Sequence, residues 1–176
     1  PPHNCACYPE AKLFGFNALA PAAPSRKLGE VNESNRLEKG PAYGKATDSA
    51  GAADSDWPTY RHDNRRSGFS QSKVSDHIKT KWTSELKGKL SAVTIAENKL
   101  LVARVDAHEV VALNAETGKV SWRYTAGGRV DSPPSIHDGR AYFGSADGWA
   151  YCLRISDGEL VWRFRAAPED RRLMAY

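Results

Sequence analysis

Between residues 88 and 166, short apolar runs alternate with polar punctuation. Segments 90–97, 99–106, 109–115 and 118–125 are followed by a second series at 130–137, 140–146, 149–155 and 158–165. The runs are rich in Val, Leu, Ile, Tyr and Phe, which suit a pleated, half-buried surface. Some, such as Val110-Val111-Ala112-Leu113, are apolar at every position, as expected of strands covered on both faces. Asn98-Lys99, Asp138-Gly139, Thr117-Gly118 and Asp157-Gly158 supply turn chemistry at the joints. No amphipathic 3.6-residue period survives inside either series, which argues against pairs of helices.

The two series are copies. Trp82, Trp122 and Trp162 stand 40 residues apart, Gly118 and Gly158 each precede their tryptophan by four residues, and Leu113 and Leu153 keep the same interval. A fixed period of this size marks a repeated supersecondary unit. Four short strands in 40 residues make one blade of a β-propeller. The fold class predicted is therefore all-β, with four-stranded antiparallel blades at about 88–126 and 128–166. Residues 78–86 read as the outer strand of a preceding, degenerate blade, with Ile78 where a glycine is expected. A propeller closes with roughly 4 to 8 blades. The ring is thus expected to be incomplete, and the chain, which begins Pro1-Pro2 and has Met174 as its sole methionine, reads as a segment of a longer protein.

Upstream the pattern changes. Residues 1–19 contain a plausible strand at 12–19, anchored by Leu13, Phe14 and Phe16, and read as the tail of an upstream blade. In 20–56, 19 of 37 residues are Ala, Gly, Pro or Ser, and no period appears. Such composition buries too little apolar surface to offset ordering entropy, so a disordered linker or insertion is expected. The repeat region is taken as 57–176. It opens with WPTYRHDNRRSGFS, expected to be an ordered lead-in with Trp57 and Tyr60 packed on a blade edge and its arginines in solvent. A basic ligand-binding loop is the other reading of these residues.

Composition narrows the function classes little. Twenty-five basic and 21 acidic residues give a net charge of +4, mixed along the chain. No basic helix interleaved with aromatics appears, so nucleic acid is not an expected partner. No apolar run approaches the roughly 18 residues of a membrane span. Of three cysteines, Cys152 takes the place of Ala112 in the repeat and is expected to be a buried free thiol. His3, Cys5 and Cys7 could together bind zinc or copper. They lack the second pair of a zinc site and the C-x-x-C redox spacing, so a structural loop or a disulfide to a residue outside this chain is preferred and no metal is assigned.

Residues 112–122, ALNAETGKVSW, resemble the tryptophan-docking motif A-x-D-x-x-T-G-x-x-x-W of quinoprotein propellers. The second copy, 152–162, keeps Gly158 and Trp162 but has Cys152 for the Ala, Arg154 for the Asp and Asp157 for the Thr. Residues 57–176 resemble the bacterial pyrroloquinoline-quinone(PQQ)-binding-like β-propeller repeat proteins. The resemblance implies that Trp122 and Trp162, and by position Trp82, dock on a neighbouring blade as structural staples with Gly118 and Gly158. It also implies a periplasmic or cell-envelope location and admits PQQ with calcium as a cofactor.

Propellers bind ligands on the loops that join blades and on those between second and third strands. That rule nominates Arg104, Asp106 and His108 from one blade and Arg129, Asp131, Asp147 and Trp149 from the next, with Gly127, Gly128 and Gly148 between them. They could hold a polar ligand or a metal, or form a rim of local ion pairs. Both Asp106 and Asp147 also suit tight turns. No nucleophile–base pair, phosphate loop or paired-carboxylate motif stands out, so no catalytic residue is assigned. A non-catalytic propeller binding a protein, glycan or small ligand is the function expected. The alternative is part of a quinoprotein oxidoreductase of the alcohol or sugar dehydrogenase type, with its catalytic residues elsewhere.

Overall fold

The computed structural model describes residues 36–45, 49, 51, 53 and 55–166. Strand β1 (Leu37–Lys39) is followed by β2 (Thr94–Ala96), β3 (Lys99–Arg104), β4 (Glu109–Asn114) and β5 (Val120–Thr125). Then come β6 (Ser135–His137), β7 (Arg140–Gly144), β8 (Trp149–Arg154) and β9 (Leu160–Arg165). Strands β2–β5 form one antiparallel meander, the N-terminal blade, and β6–β9 a second, the C-terminal blade. The expected four-stranded unit is thus present twice.

The same local devices shape both blades. Their first hairpins close on Glu97-Asn98 (φ 51° and 57°) and Asp138-Gly139 (φ 47° and 68°). Positive φ at both central residues gives the turn whose twist matches that of the flanking strands. The first of these turns lies one residue earlier than Asn98-Lys99, because Lys99 already pairs with Asn114 in the sheet. A bulge at Ala112/Leu113 recurs at Cys152/Leu153, immediately beside the pairs Ala112–Trp122 and Cys152–Trp162.

The core lies between the blades. Leu101, Ala103, Val110, Ala112 and Trp122 of one face meet Ile136, Ala141, Phe143, Tyr151 and Leu153 of the other. The three alanines make room for the large rings. Phe143 and Tyr151 stack at 5.0 Å, and Tyr124 meets both edge-on at 6.2 and 5.7 Å. Polar ties cross the same interface. The buried Thr94 hydroxyl donates to the Pro134 carbonyl (2.7 Å), and the Gly139 N–H donates to the Glu97 carboxylate (3.0 Å). The outer faces differ: Val102, Val111 and Leu113 of the N-terminal blade are covered by Leu86, and Cys152 and Val161 of the C-terminal blade pack with Ala42.

Two segments depart from expectation. Residues 78–86 carry no regular secondary structure and belong to no sheet, with Trp82, Ser84 and Leu86 partly buried and Lys81, Thr83 and Glu85 exposed. A strand needs a hydrogen-bonding neighbour, and none of the described residues supplies one. Conversely, Leu37–Lys39, inside the segment expected to be disordered, adds a fifth strand to the C-terminal blade by pairing with β9. The open edge of β9 offers it backbone partners, and Glu38 is fixed by Arg163 at 2.7 Å. The strand expected at 12–19 and the His3, Cys5 and Cys7 cluster lie outside the described residues. Among those described, no helix is long and apolar enough to cross a membrane.

Candidate functional site

The docking turn is built from the glycine outward. Gly118 (φ +69°) and Gly158 (φ +76°) adopt a conformation that side chains other than glycine rarely allow, and each donates its N–H to the carbonyl four residues back at 2.8 Å. A Cβ at Gly118 would stand 2.4 Å from the Trp82 ring, and one at Gly158 would stand 2.6 Å from that of Trp122. Each tryptophan thus lies flat on the glycine of the following repeat. Its indole N–H donates across the gap, Trp82 to the Ala115 carbonyl (2.9 Å) and Trp122 to that of Ile155 (2.8 Å). Trp162 has no such turn opposite it among the described residues. Its ring lies beside Tyr142 at 6.1 Å.

The loops that vary between copies form a cluster at one end of the blades. Arg129 bonds Asp131 and reaches Asp106 of the N-terminal blade at 3.9 Å. The bond from Asp131 raises the guanidinium pKa further. The Ala146 N–H donates to the Arg129 carbonyl (2.8 Å), which ties the interblade loop to the loop of Asp147. Asp147 is an organiser of this turn: it accepts from the N–H groups of Gly127 (2.9 Å) and Trp149 (3.1 Å) and from the Tyr151 hydroxyl. A Cβ at Gly128 would meet the Asp147 nitrogen at 2.5 Å, so glycine is required for this close approach. Burial and the bond to Asp147 push the Tyr151 hydroxyl up to about 12.

Of the remaining nominated residues, Arg104 and His108 make no side-chain bond to that centre, and Trp149 joins it only through its N–H to Asp147. Arg104 donates to the Lys87 carbonyl (2.9 Å) and to Glu109 (2.7 Å), which also accepts from Arg123 (2.9 Å). His108 closes the 3-10 turn Val105–Ala107 at φ 58°, and its carbonyl accepts from the Ala126 N–H. Trp149 pairs across the sheet with Arg165, whose guanidinium lies 5.1 Å from its ring, while that of Arg163 lies at 4.4 Å. Sequence reasoning missed Glu109, Tyr151, Arg163 and Arg165. The alternation of Arg163 and Arg165 opposite Trp149 was the available clue, but it needs the strand register to be read.

Two concavities lie elsewhere, against the lead-in. Trp57 pairs with Ile95 of β2, the Pro58 carbonyl accepts from Ile136 of β6 (2.7 Å), and the Thr59 and Ser135 hydroxyls share a bond (2.8 Å). Residues 57–59 therefore strap together the first strands of both blades. Trp57 packs on a blade edge as expected, whereas Tyr60 is largely exposed. Clefts of about 860 Å³ and 530 Å³ flank the strap. Of the seven nominated face residues, only Asp131 lines either.

The family model described as outer membrane protein assembly factor BamB matches residues 72–175. No curated protein matches the chain. Among solved structures, it is similar to a quinohemoprotein alcohol dehydrogenase from Comamonas testosteroni, at 20% identity over 63% of this chain and 19% of that one, with a TM-score of 0.53. BamB from Moraxella catarrhalis matches at 20% identity over 40% of this chain and 21% of that one, with a TM-score of 0.38. A europium-containing methanol dehydrogenase matches at 22% identity over 41% and 14%, with a TM-score of 0.36. The chain thus spans about a fifth or less of each of these structures, and the Comamonas likeness shows a shared fold.

Proposed function

The chain belongs to the PQQ-like β-propeller repeat family, and we propose that it acts as a non-catalytic binding module of the cell envelope. Its working surface is the loop cluster of Asp106, Arg129 and Asp131, steadied by Asp147, and its partner is a protein or glycan. The observation that carries this reading is the shared guanidinium. Arg129 bonds Asp131 and faces Asp106, and the two carboxylate side chains remain 54% and 67% exposed. Loops from two packed blades thus present a fixed, mixed-charge, hydrated patch. Such patches favour specificity and encounter rate over raw affinity. The description of the matching family as an outer membrane assembly factor supports a protein partner and the envelope location.

The dehydrogenase alternative requires PQQ and calcium, which would supply two-electron oxidation chemistry. The donor set of this cluster does not fit them. Asp147 is engaged by the Gly127 and Trp149 N–H groups and by Tyr151, and Asp131 by Arg129. Among the described residues, no three His, Cys, Asp or Glu side chains converge.

The test is a titration of the full-length protein with PQQ and calcium, followed by dye-linked oxidation of alcohols and sugars. The binding-module reading expects no turnover. Stoichiometric PQQ binding with turnover would sink it.

A further inference from the structure

The larger cleft has chemistry of its own. It lies between the loop at 59–69 and the first strand of the C-terminal blade, and at about 860 Å³ it has the size of a small-molecule pocket. The loop is held in an unusual backbone conformation. Arg61, His62 and Arg66 all have positive φ, at 57°, 78° and 58°. Outside glycine such angles cost energy and persist only where the surroundings enforce them. Here they are enforced. The His62 N–H donates to the Thr59 carbonyl (3.0 Å) and the Gly68 N–H to that of Arg61 (3.0 Å). The Arg66 guanidinium donates to the Tyr60 carbonyl (2.7 Å), and Asp63 accepts from the N–H (3.0 Å) and hydroxyl (2.6 Å) of Ser67.

These bonds sort the charges. Asp63 is satisfied within the loop, and the Ser67 bonds hold its carboxyl down at about 2. Asp56 accepts from the Ala53 N–H (2.9 Å). One cationic side chain along the cleft is left open. Arg65 has no ion-pair or side-chain hydrogen-bond partner among the described residues, whereas Arg104, Arg123, Arg129, Arg154 and Arg163 each hold a carboxylate. Nδ1 of His62 is buried and faces the Asp63 carboxylate at 3.7 Å, so the imidazole belongs to the loop and not to the open wall of the cleft. Phe69, largely exposed, and Ile136 add apolar wall to the same cleft.

We propose that this cleft binds a small organic carboxylate, its anionic end taken by the Arg65 guanidinium and its apolar portion laid against Phe69 and Ile136. Guanidinium–carboxylate bonds are charge-assisted and often bidentate, so Arg65 supplies the orientation. The site is separate from the Arg129 cluster, and the proposal stands or falls apart from the partner assigned there.

The test is calorimetric titration of the full-length protein with benzoate, using benzyl alcohol as a neutral probe of similar shape. Benzoate is expected to bind saturably with a Kd on the order of 1 mM or tighter. Benzyl alcohol should bind at least about tenfold more weakly. Arg65→Gln, at an exposed position, should weaken benzoate by about tenfold or more, while Arg61→Gln, outside the cleft, should leave it unchanged. Absence of saturable benzoate binding, equal affinity for benzyl alcohol, or full affinity in Arg65→Gln would each overturn the proposal.

Discussion

The two blades tie the same turn with opposite polarity. In the N-terminal blade, Asn114 accepts from the N–H groups of Glu116 (3.0 Å) and Thr117 (2.9 Å) and from the Thr117 hydroxyl (3.1 Å). In the C-terminal blade that position is Arg154, which donates to Asp157 at 3.0 and 2.6 Å and to Glu159 at 2.5 Å. Asp157 takes over the acceptor role, receiving the Glu159 N–H at 3.1 Å. The copy that looks worn in sequence is a donor–acceptor exchange. Gly118 and Gly158 keep the backbone, Trp82 and Trp122 keep the packing, and the polar pair is free to change so long as every donor meets an acceptor.

The largest effect is expected where that shared scaffold is removed. Trp122 is only 7% exposed and bridges both blades. Trp122→Ala should cost about 3 to 5 kcal/mol in denaturant melts. Trp82, half-buried at the open side of the N-terminal blade, should cost less when truncated. Equal losses at the two positions would erase the distinction between an interior and a terminal staple.

Gly158→Ala comes next. It forces a side chain into a positive-φ position 2.6 Å from the Trp122 ring. A loss of about 1 to 3 kcal/mol is expected. Wild-type stability in this variant would mean that the ring can move away freely.

The polar exchange is sharpened by pH. The bond from Arg154 holds the Asp157 carboxyl below its ordinary 3.8. Because the folded value is depressed, its stabilising contribution is present above that ordinary value and is lost as pH falls through the lower, folded one. The stability gap between wild type and Asp157→Asn should therefore shrink as pH falls below the ordinary carboxylate value of 3.8. Asn114→Ala should show a gap that does not vary over that range, since Asn114 has nothing to titrate. A pH-independent gap at Asp157 would show that its charge is not used.

The smallest difference concerns Cys152, counterpart of Ala112. It is buried and free, and burial pushes its thiol up to about 11. The native thiol should resist iodoacetamide at mildly alkaline pH and react after denaturation. Reaction of the native protein at the rate of a free thiol would place it at the surface.

Much of the fold was legible because it repeats. The tryptophan–glycine ladder and the apolar runs are local patterns that survive wear at single positions. The candidate site was legible only in outline. Asp147 stands on the loop between the second and third strands and Arg129 on the loop between blades, but whether a carboxylate such as that of Asp147 faces solvent or backbone depends on Tyr151 and Gly127, placed by the strand register. The strand at Leu37–Lys39 was hidden because a three-residue exposed strand has no period and owes its form to the β9 edge.

The sequence by itself determined the blade, its length, its docking turn and the burial of Trp122, since steric demand at glycine and the hydrophobicity of a ring act within a short stretch of chain. Only the tertiary structure decided what the polar groups do. It turned Arg154 and Asp157 into a working replacement for Asn114 and Thr117, and it strapped residues 57–59 across both blades. It also left the Arg65 side chain without an ion-pair partner beside a cleft. Hydrogen bonds and ion pairs are short-ranged and directional, so their meaning depends on neighbours that can lie, as Glu38 and Arg163 do, 125 residues apart in the chain.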